Sequence, residues 1–94
     1  MEKSMCTNFE RSGYAILKAF DTANPKSVKE VYSQLSGTRI LLGARVTIDD
    51  YVVSLFRGNE LKEQEAGRYV LTQRGVRERD RLREIVEQEN HAHC

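Results

Sequence analysis

The stretch LKEQEAGRYVL, residues 61–71, decides the fold of this chain. Short segments on either side of residues 65–67 have the two-residue spacing of β-strands, and Gly67 can adopt the positive φ that a tight hairpin needs. The preceding part of the chain instead repeats its apolar residues at three- and four-residue steps. The change of period predicts a small two-stranded β-hairpin that follows a helical region.

Three helices are predicted ahead of the hairpin, because three capping boxes each precede an apolar stripe. The boxes begin at Thr7, Ser27 and Thr47, and each has Glu or Asp three residues later. Residues 37–46, between the second and third helices, mix turn residues with apolar ones. The pattern fits either a buried loop or a helical turn. The predicted helices cover residues 8–22, 28–36 and 48–58.

A fourth helix is predicted over residues 73–89, where Thr72 can cap its start. It carries a narrow apolar seam within alternating Arg and Glu residues. Residues 90–94 have nothing to bury, so we expect a frayed tail. The sequence therefore predicts one domain over residues 1–94, with an ordered part at about 8–89.

Three helices followed by a hairpin is the order of a winged helix-turn-helix. We therefore predict a mainly α fold with a small β-hairpin (α+β), a winged helix-turn-helix with an added C-terminal helix. The segments LFRGNEL (55–61) and YVLTQRG (69–75) resemble the end of the recognition helix and the Tyr-x-Leu-Thr-x-x-Gly close of the wing in MarR- and PadR-like regulators.

The small size, the cysteine near the N-terminus and the Arg/Glu-rich last helix resemble, more particularly, the small winged-helix proteins of viruses of hyperthermophilic archaea. This resemblance implies a symmetric homodimer that binds double-stranded DNA and regulates transcription. It also implies that the third helix enters the major groove, while the hairpin reaches the minor groove or the backbone.

Composition excludes several other classes of protein. The chain has 94 residues, of which 31% are charged and 39% hydrophobic, enough for one modest core. Fifteen basic residues against fourteen acidic ones give a net charge of +1, which excludes a histone-like tail. No apolar run is long enough for a membrane span or a secretory signal, so we expect an intracellular protein, in the host cytoplasm if it is viral.

Positive charge is gathered ahead of the third helix. Residues 22–46 carry four basic residues and only Glu30 as an acidic one, whereas residues 47–72 have a net charge of −2. Phosphates that flank a helix in the major groove would meet this basic segment. For any one of these residues, an ordinary solvated side chain is an equal alternative. The four basic residues are Lys26, Lys29, Arg39 and Arg45.

Placing the side chains of the third helix at about 100° per residue separates two faces. Asp50, Val53, Ser54 and Arg57 fall on the exposed face, where Arg can read guanine, Asp can accept from cytosine and Val can meet a thymine methyl group. Alternatively, Asp50 complements the helix dipole and Arg57 is a solvated end residue. The opposite face is predicted to point inward and consists of Ile48, Tyr51, Val52, Leu55 and Phe56.

The predicted wing has a tip of mixed charge. Lys62 and Arg68 straddle the turn beside Glu63 and Glu65, which departs from a basic wing and argues against insertion into the minor groove. The complete predicted DNA-binding set is Lys26, Lys29, Arg39, Arg45, Thr47, Asp50, Val53, Ser54, Arg57, Lys62 and Arg68.

A dimer interface is predicted through the first and last helices, because the seam of the last helix has no part of a three-helix core left to face. Cys6 lies just before the first helix and is predicted to form a disulfide with its symmetry mate; a Cys6–Cys94 bridge and free thiols are the alternatives. The predicted interface residues are Cys6, Phe9, Leu82, Ile85 and Val86.

Catalytic motifs are missing from the sequence. It has no Gly-rich phosphate loop and no His-x-x-x-His pair, and both histidines lie in the tail. His91, His93 and Cys94 could hold a metal ion together, but an incidental tail is the favoured interpretation. We therefore expect no enzyme, cofactor, metal or small-molecule ligand. The alternative to DNA binding is a winged helix that serves as a protein interaction module.

Overall fold

The structure is a computed structural model that describes residues 7–93, with side chains described up to residue 88. Over this part of the chain, four helices and three short strands confirm the predicted mainly helical α+β fold. The elements are α1 (Asn8–Ala19), β1 (Lys26–Ser27), α2 (Val28–Gln34), α3 (Ile48–Arg57), β2 (Leu61–Glu65), β3 (Arg68–Leu71) and α4 (Gln73–His93).

The strands form one antiparallel sheet in the order β1-β3-β2. The predicted hairpin is present as β2 and β3, with a bulge between Glu63 and Glu65 and with Gly67 at a φ of 72° in the turn. The sequence did not predict β1, whose Lys26 and Ser27 pair with Tyr69 and Arg68. This third strand joins the hairpin to the segment between α1 and α2, the arrangement of a winged-helix-like fold.

All three predicted capping boxes are present. The amide of Glu10 donates to Thr7 Oγ1 at 3.0 Å, while the amide of Thr7 donates to Glu10 Oε1 at 2.8 Å. Equivalent pairs of bonds join Ser27 to Glu30 and Thr47 to Asp50. Each box satisfies two backbone amides that the first turn of a helix leaves without intrahelical partners, which fixes where α1, α2 and α3 begin.

The helix α1 ends at Ala19, earlier than the predicted residue 22. The chain becomes extended at Phe20, and the carbonyl of Asp21 accepts from the amide of Leu71 at 2.8 Å. The carboxylate of Asp21 then accepts from the Ala23 amide at 3.0 Å and closes a turn. Pairing with β3 requires extended backbone here, so α1 cannot continue to the predicted end.

The segment between α2 and α3 is a loop without a helical turn, but it is not a buried loop either, because Leu42 is the one buried residue of 37–46 and most of the others are exposed. Leu42 is buried in the core, and Ser12 of α1 holds the backbone of Leu41. The Ser12 hydroxyl accepts from the Leu41 amide at 2.7 Å and donates to the Leu41 carbonyl at 3.2 Å. The loop is therefore anchored to α1 at its centre.

A junction of three elements forms where β3 leads into α4. The amide of Thr72 donates to the Glu60 carbonyl at 3.1 Å, and the Thr72 hydroxyl donates to the Asn59 carbonyl at 2.5 Å. The same hydroxyl accepts from the amide of Gly75 at 3.1 Å. A Cβ atom on Gly75 would overlap the Glu60 carbonyl oxygen, so only glycine lets α4 start this close to the α3–β2 turn. These contacts explain why threonine and glycine stand three residues apart, at Thr72 and Gly75, in the segment YVLTQRG.

The helix α4 continues to His93, beyond the predicted end at residue 89. No glycine or proline follows Gly75, so the sequence holds no strong helix-ending residue in this region.

The assignment of Leu82 to a dimer interface is corrected by its position. Leu82 is only 3% exposed and lies against Gly13 of α1, within the core of the protomer. Ile85 is partly buried against the same core, and Val86 is half-buried. The core residues are Ile16, Leu17, Ala19, Phe20, Val31, Leu35, Leu42, Val52, Leu55, Leu61, Leu71 and Leu82.

Replacement of Gly75 by alanine should lower the free energy of unfolding by about 1–3 kcal/mol, the usual cost of overpacking. The opposing gain in helix propensity is smaller, about 1 kcal/mol, and the obstructing atom is a backbone oxygen that cannot rotate away. Urea unfolding followed by circular dichroism measures the change. Gln73→Ala, an exposed substitution in the same turn, should change stability by less than about 0.5 kcal/mol. A Gly75→Ala variant as stable as the wild type would contradict this account of the junction.

Candidate nucleic-acid interface

The exposed face of α3 carries the side chains predicted for it. Asp50, Val53, Ser54 and Arg57 are exposed, and Val53 retains 47% of its accessible surface. On the opposite face Val52 and Leu55 are buried, while Ile48 and Tyr51 pack against the core. The predicted two-faced helix is therefore present, with one exception.

The exception is Phe56, which is 43% exposed rather than inward-facing. Its ring meets that of Tyr69 on β3 edge to face, with the centroids 5.8 Å apart and an interplanar angle of 67°. Phe56 lies at the margin of the apolar face of α3, so the position of the wing decides where its ring goes. Because the sequence does not fix the position of the wing, the helical pattern alone could not predict this contact.

Thr47 and Asp50 are held in the cap of α3. The amide of Asp50 donates to Thr47 Oγ1 and the amide of Thr47 donates to Asp50 Oδ2, both at 3.1 Å. A carboxylate at this position also complements the positive end of the helix dipole. Neither side chain can turn towards a base without breaking the cap. Their placement therefore favours a role in capping α3 over a role in reading bases.

Three exposed arginines lie on α3 and on the loop that precedes it. Arg39 and Arg45 are on the loop that precedes it, where Arg45 has a φ of 67°, and Arg57 is in its last turn. Among the residues that the structure describes, none of these three guanidinium groups has an ion-pair or side-chain hydrogen-bond partner. They are therefore available to an anionic ligand, as are the exposed Arg74 and Arg77 on α4, and they differ from those two in lying on α3 or the loop before it.

The two lysines of the basic segment differ in their surroundings. Lys26 is half-buried, and its Nζ donates to Gln34 Oε1 at 2.8 Å, which ties β1 to the end of α2. Lys29 is exposed on the first turn of α2. Of the two, Lys29 is better placed to contact a phosphate group.

Arg68 is a structural residue in this fold. Its Nη1 donates to Glu30 Oε1 at 2.9 Å and to the Pro25 carbonyl at 3.3 Å, and its Nε lies 3.9 Å from Glu65 Oε1. These contacts hold the guanidinium group within the fold and would compete with the DNA contact predicted for Arg68, which stays a prediction. The physical reason for the contacts is β1, which places the start of α2 beside β3.

The wing presents a mixed surface. Lys62, Glu63 and Glu65 are all exposed on β2. One carboxylate oxygen of Glu63 accepts from the Gly67 amide at 2.9 Å and closes the turn. With Arg68 engaged, Lys62 is the one exposed cation on β2 and β3, both of which the structure describes completely.

A group of ionisable side chains lies where α3 meets α4. Burial, together with nearby Glu78 and Glu60, raises the pKa of Tyr51 to about 12. Burial also raises the pKa of Glu60. Glu78 accepts two hydrogen bonds from Arg81, at 2.7 and 3.0 Å, which lower the pKa of the Glu78 carboxyl. Tyr51 is therefore a neutral phenol at physiological pH. Its ring packs over Gly13, where α3 meets α1.

An open apolar groove of about 500 Å³ lies between the start of α1 and the loop before α3. Phe9, Leu41 and Val46 line it and are each exposed by more than a third. Phe9, a predicted interface residue, also meets the ring of Tyr51 edge to face at 5.6 Å. Cys6 and Cys94 lie outside the described residues, so the disulfide stays a prediction.

Comparison of the chain with protein-family models, with curated proteins and with solved structures found no match. Within the described part of the chain, no three His, Cys, Asp or Glu side chains come together as a metal site. The side chains of His91 and His93, and the whole of Cys94, fall outside that part. None of the helices that the structure describes is long and apolar enough to cross a bilayer.

The ion pair between Glu30 and Arg68 predicts a pH dependence of stability. The Ser27 amide first, and then Arg68, lower the pKa of Glu30 below its ordinary value of 4.5. A lowered folded-state pKa means that the carboxylate stabilises the fold above its unfolded pKa, and that this contribution is lost as the pH falls through the folded-state pKa. Glu30→Gln should therefore have a lower Tm than the wild type at pH 7, and the difference should shrink as the pH falls below 4.5 and the carboxylate becomes protonated.

Thermal unfolding at a series of pH values measures this difference. Glu65→Gln is the matched control, because that carboxylate lies 3.9 Å from Arg68 and should change Tm less. A Tm difference for Glu30→Gln that stays constant from pH 7 down to the lowest pH at which the wild type still folds would contradict the proposed role of the carboxylate.

Proposed function

We propose that this protein is a sequence-specific double-stranded DNA-binding protein that regulates transcription as a homodimer, with α3 in the major groove. The observation that carries the proposal is the set of Arg39, Arg45 and Arg57, three exposed arginines on α3 and the loop before it that have no ion-pair partner among the residues the structure describes. Arginine is the residue that most often contacts both phosphate and guanine.

The dimensions of α3 suit the major groove. Its ten residues span roughly 15 Å, and the groove is about 12 Å wide and admits one helix. Arg57 can donate two parallel hydrogen bonds to guanine O6 and N7, and Ser54 can contact a base or a phosphate. Asp50 contributes chiefly to the cap. Arg57 is therefore the main residue of α3 that would hydrogen-bond to base edges.

Phosphate contacts would come from the loop and from α2. Arg39 and Arg45 precede the first turn of α3, and Lys29 is exposed on the first turn of α2. Basic side chains that flank a recognition helix position it over the groove without reading sequence. Lys62 supports a single backbone contact from the wing, rather than insertion of the wing into the minor groove.

The proposed homodimer needs an interface other than the buried Leu82 seam. Phe9, Leu41 and Val46 form an exposed apolar surface near the start of α1, and Val86 is half-exposed on α4. Phe9 follows Cys6 closely in the chain, so an interface here is compatible with the predicted disulfide between two Cys6 residues. A two-fold dimer would recognise two half-sites about 34 Å apart.

A protein interaction module is the second candidate, because the apolar groove lined by Phe9, Leu41 and Val46 is exposed and the net charge is only +1. Salt dependence separates the two candidates. Phosphate contacts make the logarithm of the binding constant fall linearly with the logarithm of the salt concentration. An interaction through an apolar groove depends far less on salt.

The test compares Arg57→Ala with Arg45→Ala on a duplex that the wild type selects from random DNA. Arg57→Ala should weaken specific binding by about 1–3 kcal/mol and relax the preference at one base position, because a bidentate guanine contact is lost. Arg45→Ala should weaken binding to all DNA sequences alike. It should also reduce the slope of the logarithm of the binding constant against the logarithm of the salt concentration by about 1. Fluorescence anisotropy titrations across salt concentrations measure both quantities.

Arg83→Ala is the matched control, since it removes an exposed arginine that lies on α4, 3.7 Å from Asp80, and not on α3 or the loop before it. It should leave affinity for the selected duplex nearly unchanged. If Arg57→Ala and Arg45→Ala lost the same amount of affinity for every DNA sequence, the role of α3 in reading bases would be contradicted. Failure of the wild type to bind any duplex at low salt would overturn DNA binding and favour the interaction module.

A further inference from the structure

Two apolar side chains on α3 remain exposed and neither is part of the buried core. Val53 is 47% exposed and Phe56 is 43% exposed, although the core beneath them is closed by buried Val52 and Leu55. Single exposed hydrophobic residues are ordinary on protein surfaces. Here, however, two of them lie three residues apart, which makes them neighbours on the helix surface.

The wing holds one of these side chains in place. The ring of Phe56 rests edge to face on Tyr69, with 5.8 Å between centroids, so its position is fixed from the side of β3. Val53 is β-branched and has one strongly preferred rotamer in a helix. Together the two form an apolar strip on the same helix as Ser54 and Arg57, both of which can hydrogen-bond to bases.

The chemistry of the major groove offers one apolar target. Thymine alone among the four bases carries a C5-methyl group there, and apolar side chains recognise it by contact. Side chains three residues apart on a helix have Cβ atoms about 5–6 Å apart. Successive base pairs are about 3.4 Å apart along the helix axis, so the strip spans one to two base steps.

We propose that Val53 and Phe56 read the methyl groups of two thymines, so that the preferred half-site of this protein contains thymine at two positions one or two steps apart. The inference rests on the proposed function and deepens it by naming a base. Arg57, one turn beyond Val53, would then place a guanine next to the thymine pair. The polar groups interleaved with the strip favour a base edge over a protein surface as its target.

The experiment removes methyl groups from the DNA. A fluorescein-labelled duplex, selected by the wild-type protein from random DNA, is prepared with deoxyuridine in place of each thymine in turn. Deoxyuridine at the two contacted positions should raise Kd by about fourfold each, the ratio that corresponds to burial of one methyl-sized group. Thymines elsewhere in the duplex should show no effect.

Variants connect each methyl group to a side chain. In Val53→Ala the difference between thymine and deoxyuridine should vanish at one position, and in Phe56→Ala it should vanish at the other. Ser54→Ala is the matched control and should retain both differences. Because Phe56→Ala also removes the contact with Tyr69, circular dichroism checks its fold, while the deoxyuridine series on the wild-type protein tests the proposal without any variant.

Two kinds of failure are distinguishable. Specific binding that is unaffected by deoxyuridine at every position, or a selected site without thymine, would overturn the thymine reading and leave DNA binding intact. A Val53→Ala variant with an unchanged response at every thymine would overturn the role of Val53. Absence of any salt-dependent binding to DNA would overturn the proposed function together with this inference.

Discussion

The hydrogen bonds made by Thr72 are the contacts on which the arrangement of the other elements depends. Its amide and its hydroxyl bind the carbonyls of Glu60 and Asn59, just after α3, and the hydroxyl also caps the first turn of α4 at Gly75. One residue therefore fixes the end of the hairpin, the exit from α3 and the start of α4. The packing of α4 on α1, with Leu82 against Gly13, follows from that starting point.

The sheet imposes a second constraint, which acts on the wing. The pairing of β1 with β3 places Arg68 beside Glu30 and the Pro25 carbonyl, and its guanidinium group joins the hairpin to the start of α2. A cation that could have contacted a phosphate is used within the fold. The wing consequently has a defined position relative to α3 but little positive charge, so recognition would depend on α3 and the loop before it.

Local signals in the sequence predicted the parts of the structure that local interactions determine. The capping boxes at Thr7, Ser27 and Thr47, the hairpin turn and the exposed face of α3 each depend on residues a few positions apart. The strand β1 has only two residues and no periodicity, so no pattern could predict it. The burial of Leu82, the ion pair of Arg68 and the contact of Phe56 with Tyr69 all depend on residues distant in sequence, and only the tertiary arrangement brings them together.

Ser12 has an effect beyond the helix on which it lies. It is almost completely buried, and both hydrogen bonds of its hydroxyl group join the backbone of Leu41, at the middle of the loop that carries Arg39 and Arg45. A loop held in this way has already lost much of its conformational freedom before any ligand arrives. The backbone that carries its arginines is therefore preorganised, and binding of a polyanion costs less backbone entropy than it would on a free loop.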